Sequence, residues 1–385
     1  MVENSMRREL GRFYMKGQNI GLALSGGGIR AMIFHLGLFK WLARNGLLEQ
    51  VKRVSTVSGA SLCVGMIYAH NNHEWPTSEK FLADVLPSIK SALSIDLQLS
   101  ALRKLFTSPI YWNKRVNIVA QVLESKWGVY GELPNLSRGV SWYINCTTFE
   151  TGKRFRFSQE RMGDYTIGYV ENPNIRLSEV MAASAGFPAL IGPFVLRAKD
   201  YEWVSSKFSD ENRHLTNSRA IHLWDGGVYD NFGLESIFKP DNGGTLAGNL
   251  DFLIVSNASP SIGAQLRKRE WSVRNLKRLL DISMDQVASL RSRSVMDFIK
   301  RTNQGMYFKI GNSAEKITEA SGCSEELKSH LVDKCLTVEQ VQRAMKYKTT
   351  LRRPRDEDLH LLLRHGYEVA DCTYQCYQKH RWEEL

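Results

Sequence analysis

Hydrophobic positions along the chain follow two periods. Residues 19–24, Asn-Ile-Gly-Leu-Ala-Leu, form a short apolar run that predicts a buried strand. Gly26, Gly27 and Gly28 follow. Met32, Ile33, Leu36, Phe39 and Leu42 then recur at helical spacing and predict a helix over 30–45, closed by Asn45-Gly46. Residues 51–57 predict a second strand, residues 58–61 a tight turn of small residues, and residues 62–69 a helix. Strand, glycine turn, helix, strand, tight turn, helix is the order of a parallel α/β sheet.

Further on the rhythm changes. Residues 75–136 read as helical and aromatic-rich, with Phe81, Phe106, Tyr111, Trp112, Trp127 and Tyr130. Strand patterns return at 140–147, 154–158, 221–224 and 251–255, with a helix over 177–185 between the pairs. Beyond Pro260 the pattern is helical to Arg301 and mostly helical after it, while 200–218 and 239–249 are polar, turn-rich loops. The uncharged stretch 180–196 is broken by Gly186, Pro188, Gly192 and Pro193. A membrane span wants roughly 20 unbroken apolar residues, so no bilayer crossing is expected.

At 385 residues the chain exceeds the roughly 250–300 at which one core stops growing. Either one large domain with helical additions or two domains sharing an interface is expected. The pattern divides into an α/β region over 15–260, with 75–136 as a helical wall or lid, and a helical, basic extension over 261–385. Six scattered cysteines suit a reducing cytosol. Cys372 and Cys376 lie near His365 and His380, but a helical surface pair is expected there rather than a zinc site. The opening MVENSMRRELGRF has no apolar core and is not read as a secretory signal.

Charge narrows the partners. The net charge of +11 favours an anionic one: phospholipid headgroups, nucleic acid or a nucleotide. Between Arg267 and Arg301 stand ten basic residues against four acids, and Arg274, Lys277 and Arg278 share one helical face. The alternative is a solvated helix face.

A glycine loop between strand and helix presents backbone N–H groups to an anion. Gly26, Gly28 and Ala31 even fit G-x-G-x-x-A, but residues 55–57 end the next strand without the carboxylate that a dinucleotide ribose needs. The second turn points to ester chemistry, in which a nucleophile sits on a G-x-S-x-G elbow. Gly59-Ala60-Ser61-Leu62-Cys63 fits that frame, with Cys63 as a small substitute for the second glycine. Ser58 competes, but its frame puts β-branched Thr56 at the crowded position, so Ser61 is preferred. Asp225, followed by Gly226 and Gly227, ends another apolar run and offers a carboxylate at a strand end. His222 and His35 are the candidates for a triad histidine, and both are expected to be structural.

Taken together, these features resemble the patatin-like phospholipases, bacterial type, in which a Ser–Asp dyad replaces a triad. Gly26-Gly27-Gly28-Ile29-Arg30 is similar to the family's G-G-G-x-R oxyanion loop, Gly59–Cys63 to its elbow, and Asp225-Gly226-Gly227 to its D-G-G motif. The Ser58–Ser61 run looks like the S-G-G-S variant found in some relatives, again with the second serine as nucleophile. Residues 182–188 are similar to the family's small-residue helix, VYDNFG over 228–233 to its V-x-D-N-x-G, and HGYEVAD over 365–371 is a weaker echo.

The resemblance implies an α/β three-layer sandwich around a mainly parallel sheet, with added helices. It also implies acyl transfer from membrane phospholipids, with Ser61 as nucleophile, Asp225 as base and Gly26, Gly27 and Gly28 as oxyanion donors. Arg30, Gly59, Gly226 and Gly227 would be supporting residues, with Arg30 holding the loop. No metal or organic cofactor is required and no nucleic-acid partner is expected. The enzyme would be cytoplasmic, peripheral on the inner face of the membrane. Two rival readings stay open: an antiviral effector switched on by a nucleotide bound at the basic tract, and an inactive membrane- or protein-binding module. A homo-oligomer stays open as well.

Overall fold

A computed structural model describes residues 17–107, 115–186, 192–206, 208–209, 212–217, 220–260 and 273–379. The expected opening forms as read: β1 (Ile20–Leu24), α1 (Gly28–Arg44), β2 (Val51–Val57) and α2 (Gly59–Ala69). Helices α3 (Leu86–Ala92), α4 (Leu97–Thr107) and α5 (Arg115–Trp127) follow, then strands β3 (Ser141–Thr148), β4 (Arg154–Phe157), β5 (Arg161–Asp164) and β6 (Gly168–Glu171). Helix α6 (Leu177–Ser184), β7 (Phe194–Leu196), β8 (Ile221–Asp225), the short α7 (Gly227–Asp230) and β9 (Phe252–Asn257) complete the middle.

Beyond them stand the long α8 (Val273–Thr302), strand β10 (Gly305–Lys309), α9 (Ala314–Ser321), α10 (Glu325–Lys334), α11 (Val338–Met345) and α12 (Asp356–Tyr374). The carboxy-terminal part, expected to be helical, also contributes a strand, because β10 extends the sheet in parallel beside β9.

Among the described residues the main sheet has ten strands in the order β10-β9-β1-β2-β3-β4-β5-β6, with β8 on β3 and β7 on β8. Pairing is parallel from β10 to β3 and antiparallel from β3 onward, so the sheet is mixed, with parallel strands flanked by helices. Alternation along the strands builds two layers of core. Leu22, Leu24 and Ile254 face the cluster containing α1, whereas Ala23, Leu253 and Val255 face Phe232, Phe238, Val295 and Phe298. The expected three-layer sandwich results.

Helix α1 is apolar almost all round because it is covered on more than one side, and α12 crosses it at backbone contact. A Cβ on Gly37 would stand 2.2 Å from the Leu363 carbonyl oxygen, and one on Gly366 would stand 2.0 Å from that of Phe34. The HGYEVAD segment thus serves packing. His365 is buried and accepts the Gly311 N–H at Nε2, and Trp41 donates to Asp371.

Cys372 and Cys376 are buried rather than on the surface, and Cys372 Sγ lies 3.4 Å from Cys335 Sγ. His380 lies outside the described residues. Among those described, no group of three His, Cys, Asp or Glu could hold a metal ion, and no helix is long and apolar enough to cross a membrane.

In the 75–136 segment, Phe81 and Trp127 are buried in the core and Tyr130 is exposed; Tyr111 and Trp112, like the side chain of Phe106, lie outside the described residues. In the basic tract, Arg267, Lys268 and Arg269 lie outside them too, as do the side chains of Arg274 and Lys277. Those two residues and Arg278 fall on α8. Farther along, Arg291 turns to Asp230 and Glu235, at 3.4 and 2.9 Å, and Arg301 to Asp297. Part of the tract is thus committed to ion pairs within the chain.

Candidate active site

Two strand ends meet on one edge of β3. Its first half pairs with β2, from Arg53 opposite Ser141 to Val57 opposite Asn145. The next rungs on that edge pair with β8, where Asp225 lies opposite Cys146. Strand β2 runs parallel to β3 and β8 antiparallel, so their carboxyl ends point at each other, and the residue after Val57 is Ser58.

Ser58 has φ 52° and ψ −117°, a backbone conformation that costs a non-glycine residue energy and marks a sharp strand-to-helix elbow. Its N–H donates to Ser184 Oγ at 3.0 Å, and its hydroxyl faces the Asp225 carboxylate. Asp225 is 3% exposed, and Oδ1 accepts the Gly227 N–H at 2.8 Å. Burial pushes the carboxyl up to about 6, against the lowering effect of the Gly227 N–H and the Ser58 hydroxyl.

Ser61, the serine expected to meet Asp225, does not. It lies one helical turn on, 0% exposed, with Oγ 2.9 Å from Thr56 Oγ1 and 2.8 Å from Ser184 Oγ. The donors run in one direction: Trp142 Nε1–H to Thr56, Thr56 to Ser61, Ser61 to Ser184, and Ser184 to the Asn145 carbonyl. The Ser61 proton is used inside this chain. Ser58, and not Ser61, is the serine set against Asp225. Gly59, directly after Ser58, is tightly enclosed: an added Cβ would stand 2.1 Å from the Gly28 carbonyl oxygen.

The glycine loop lies against the elbow. Gly26 is not a free donor, since its N–H goes to the carbonyl and side-chain oxygens of Asn231, each at 3.2 Å. The N–H groups of Gly27 and Gly28 have no partner among the described residues. Gly28 has φ 62°, and a Cβ there would stand 2.8 Å from the Thr350 carbonyl oxygen. Arg30 holds the loop from below, donating to the carbonyls of Ala258 and Tyr347, and burial pulls its pKa down to about 10. The Thr350 carbonyl accepts the Ile29 N–H at 2.9 Å.

Neither histidine joins the pair. His35 is buried, with Nε2 donating to the Ser25 carbonyl and Nδ1 accepting from Ser256; burial takes it down to about 4 and keeps it neutral. His222 points to the opposite face of β8 from Asp225, where Nδ1 lies 2.6 Å from Glu150.

A family model for patatin-like phospholipases matches residues 22–238. The chain belongs to the patatin-like phospholipase family. Among solved structures, human GIVD cytosolic phospholipase A2 is similar at TM-score 0.53 and 13% identity, over 97% of this chain and 66% of that one. The same human enzyme with methyl gamma-linolenyl fluorophosphonate inhibitor and terbium chloride gives TM-score 0.50 and 15% identity, over 96% of this chain and 62% of that one. The chain therefore spans a little under two thirds of those structures. Comparison with curated proteins gives no match.

Within this patatin-like phospholipase, three side chains at the site escape a reading by motif. Ser184 joins the Ser58 N–H to the Asn145 carbonyl, Asn145 donates to Ser55 and Thr56, and Asn231 clamps Gly26. Ser184 and Asn231 lie in the AASAGFP and VYDNFG blocks, so the signal was present without its meaning. Asn145, inside a strand, gave none.

Proposed function

We propose that the chain hydrolyses ester bonds of membrane phospholipids by acyl transfer, with Ser58 as nucleophile and Asp225 as general base. The observation that carries this reading is a serine at a positive-φ elbow facing a buried carboxyl whose pKa is about 6. As Ser58 Oγ attacks the ester carbonyl carbon, its proton passes to Asp225. The N–H groups of Gly27 and Gly28 stabilise the oxyanion, and Asp225 returns the proton to the departing lipid alcohol. Water then attacks the acyl-enzyme, with Asp225 again as base, and frees the fatty acid. One oxyanion donor is worth about 10²–10³ in rate and a positioned base about 10²–10⁴.

In the same reading, residues 15–260 carry the chemistry, residues 75–136 form a wall beside the cleft and residues 261–385 support the glycine loop. The VYDNFG block favours the bacterial type. The charge of +11 favours a peripheral place on the inner, anionic face of the membrane, reached from the cytoplasm.

A fluorophosphonate serine probe tests the assignment. Mass mapping should find it on Ser58, and phosphatidylcholine vesicles should release fatty acid with wild type but not with Asp225→Asn. Label on Ser61, or fatty-acid release by Ser58→Ala, overturns it.

A further inference from the structure

On the antiparallel half of the sheet, Asn145, Arg156, Gly163 and Tyr169 lie side by side on successive strands. Gly163 has no side chain to fill that row, and a cavity of about 80 Å³ opens there, lined by Arg154, Arg156, Tyr165, Tyr169, Tyr229 and Glu235. That is more room than the roughly 10–15 Å³ one water needs.

The charges around it do not balance. Glu235 is ionised, held below the usual carboxylate range by Arg154 and Arg291 despite its burial, and it pairs with both. Among the described residues Arg156 has no such partner. Its guanidinium lies between the rings of Tyr143 and Tyr169, at 5.5 and 5.7 Å, and its buried Nε has no hydrogen-bond acceptor among the described residues. Burial lowers its pKa, and the neighbouring cations Arg154 and Arg161 lower it further. Arg161 lies over the outer ring, 4.7 Å from the Tyr169 centroid. A half-buried cation between cations and ring faces, its Nε wholly buried, is costly unless an anion completes it.

We infer that this cavity is a binding site for a phosphate monoester, with Arg156 as the central ligand. A planar guanidinium matches two phosphate oxygens at once, and the tyrosine rings hold its plane in place. Tyr165, 41% exposed, stands at the solvent edge, where the rest of the ligand would emerge. Neither Ser58 nor Asp225 lines the cavity, so the inference does not rest on the proposed chemistry.

Calorimetry on the full chain tests it with three probes: inorganic phosphate, glycerol 3-phosphate and phosphatidylcholine vesicles carrying phosphatidic acid. Saturable binding of either soluble phosphate, weakened at least about tenfold by Arg156→Met, supports the site. Added Arg156-dependent binding to the vesicles identifies a lipid headgroup as the source; binding of the soluble probes alone identifies a free phosphate compound. Should Arg156→Met fail to fold, Arg156→Lys decides, since losing the planar fork must still weaken binding several-fold. No binding of any probe up to about 10 mM, or unchanged binding in the foldable variant, overturns the inference.

Discussion

Val57 and Asp225 occupy neighbouring rungs on one edge of β3, opposite Asn145 and Cys146. Backbone pairing to a third strand therefore brings the end of β2 against the end of β8, and neither Ser58 nor Asp225 has to reach. His35 and His222 have partners of their own in Ser25, Ser256 and Glu150.

Replacing the two serines separates their roles. Ser58→Ala should lose at least about 10³-fold in ester hydrolysis while keeping the wild-type melting profile. Ser61→Ala should keep activity within about tenfold but lose roughly 1–3 kcal/mol of stability, because Thr56 and Ser184 lose a buried partner. Vesicle hydrolysis and denaturant melts check both, and the reverse pattern refutes the assignment.

Asp225 predicts opposite pH effects on rate and stability. Hydrolysis should fall as pH drops below about 6, because a protonated carboxyl cannot accept the serine proton. Its folded pKa lies above the unfolded value, so its stabilising contribution is present below the unfolded pKa and lost as pH rises through about 6. Asp225→Asn should thus gain up to roughly 3 kcal/mol on wild type at pH 8 relative to pH 4. A stability difference independent of pH would contradict the buried charge.

The buried histidines work the other way. His35 and His365 are both held down to about 4 by burial. The stability this gives is complete above their unfolded pKa near 6.5 and is lost as pH falls toward 4. His365→Gln, which keeps an acceptor for Gly311 but cannot take a proton, should flatten the acid limb of a stability-versus-pH curve. An unchanged limb would remove His365 from the account.

Asn231→Ala should lower kcat about tenfold with little change in KM, because Gly26 loses its side-chain acceptor and the loop beside Ser58 loosens. Initial rates on a soluble short-chain ester check this. A rise in KM at constant kcat would assign Asn231 to substrate binding instead.

How far the sequence could be read follows from which forces are local. Strands β1 and β2 and the helices after them were legible because strand-long apolar runs, glycine turns and helical spacing all lie within a few residues. Strands β5 and β6 were not, since four-residue segments such as Arg161–Asp164 carry no period and form only by pairing with neighbours. Strand β10 was hidden between helical stretches and is specified by the open edge of β9. At the site, the choice between two serines three residues apart depends on Thr56, whose side chain turns inward to Trp142 and Ser61. A motif frame registers Thr56 only as bulk.

The glycine loop near the start of the chain is closed by carbonyls near its other end: Thr350 receives Ile29, and Tyr347 receives Arg30. During synthesis, the elbow at Ser58 and the loop at Gly28 emerge some three hundred residues before the strap that fixes them. A chain stopped short of residue 347 would lack both carbonyls that hold Ile29 and Arg30. By this order of assembly, the loop beside Ser58 is fixed only after translation has passed that point.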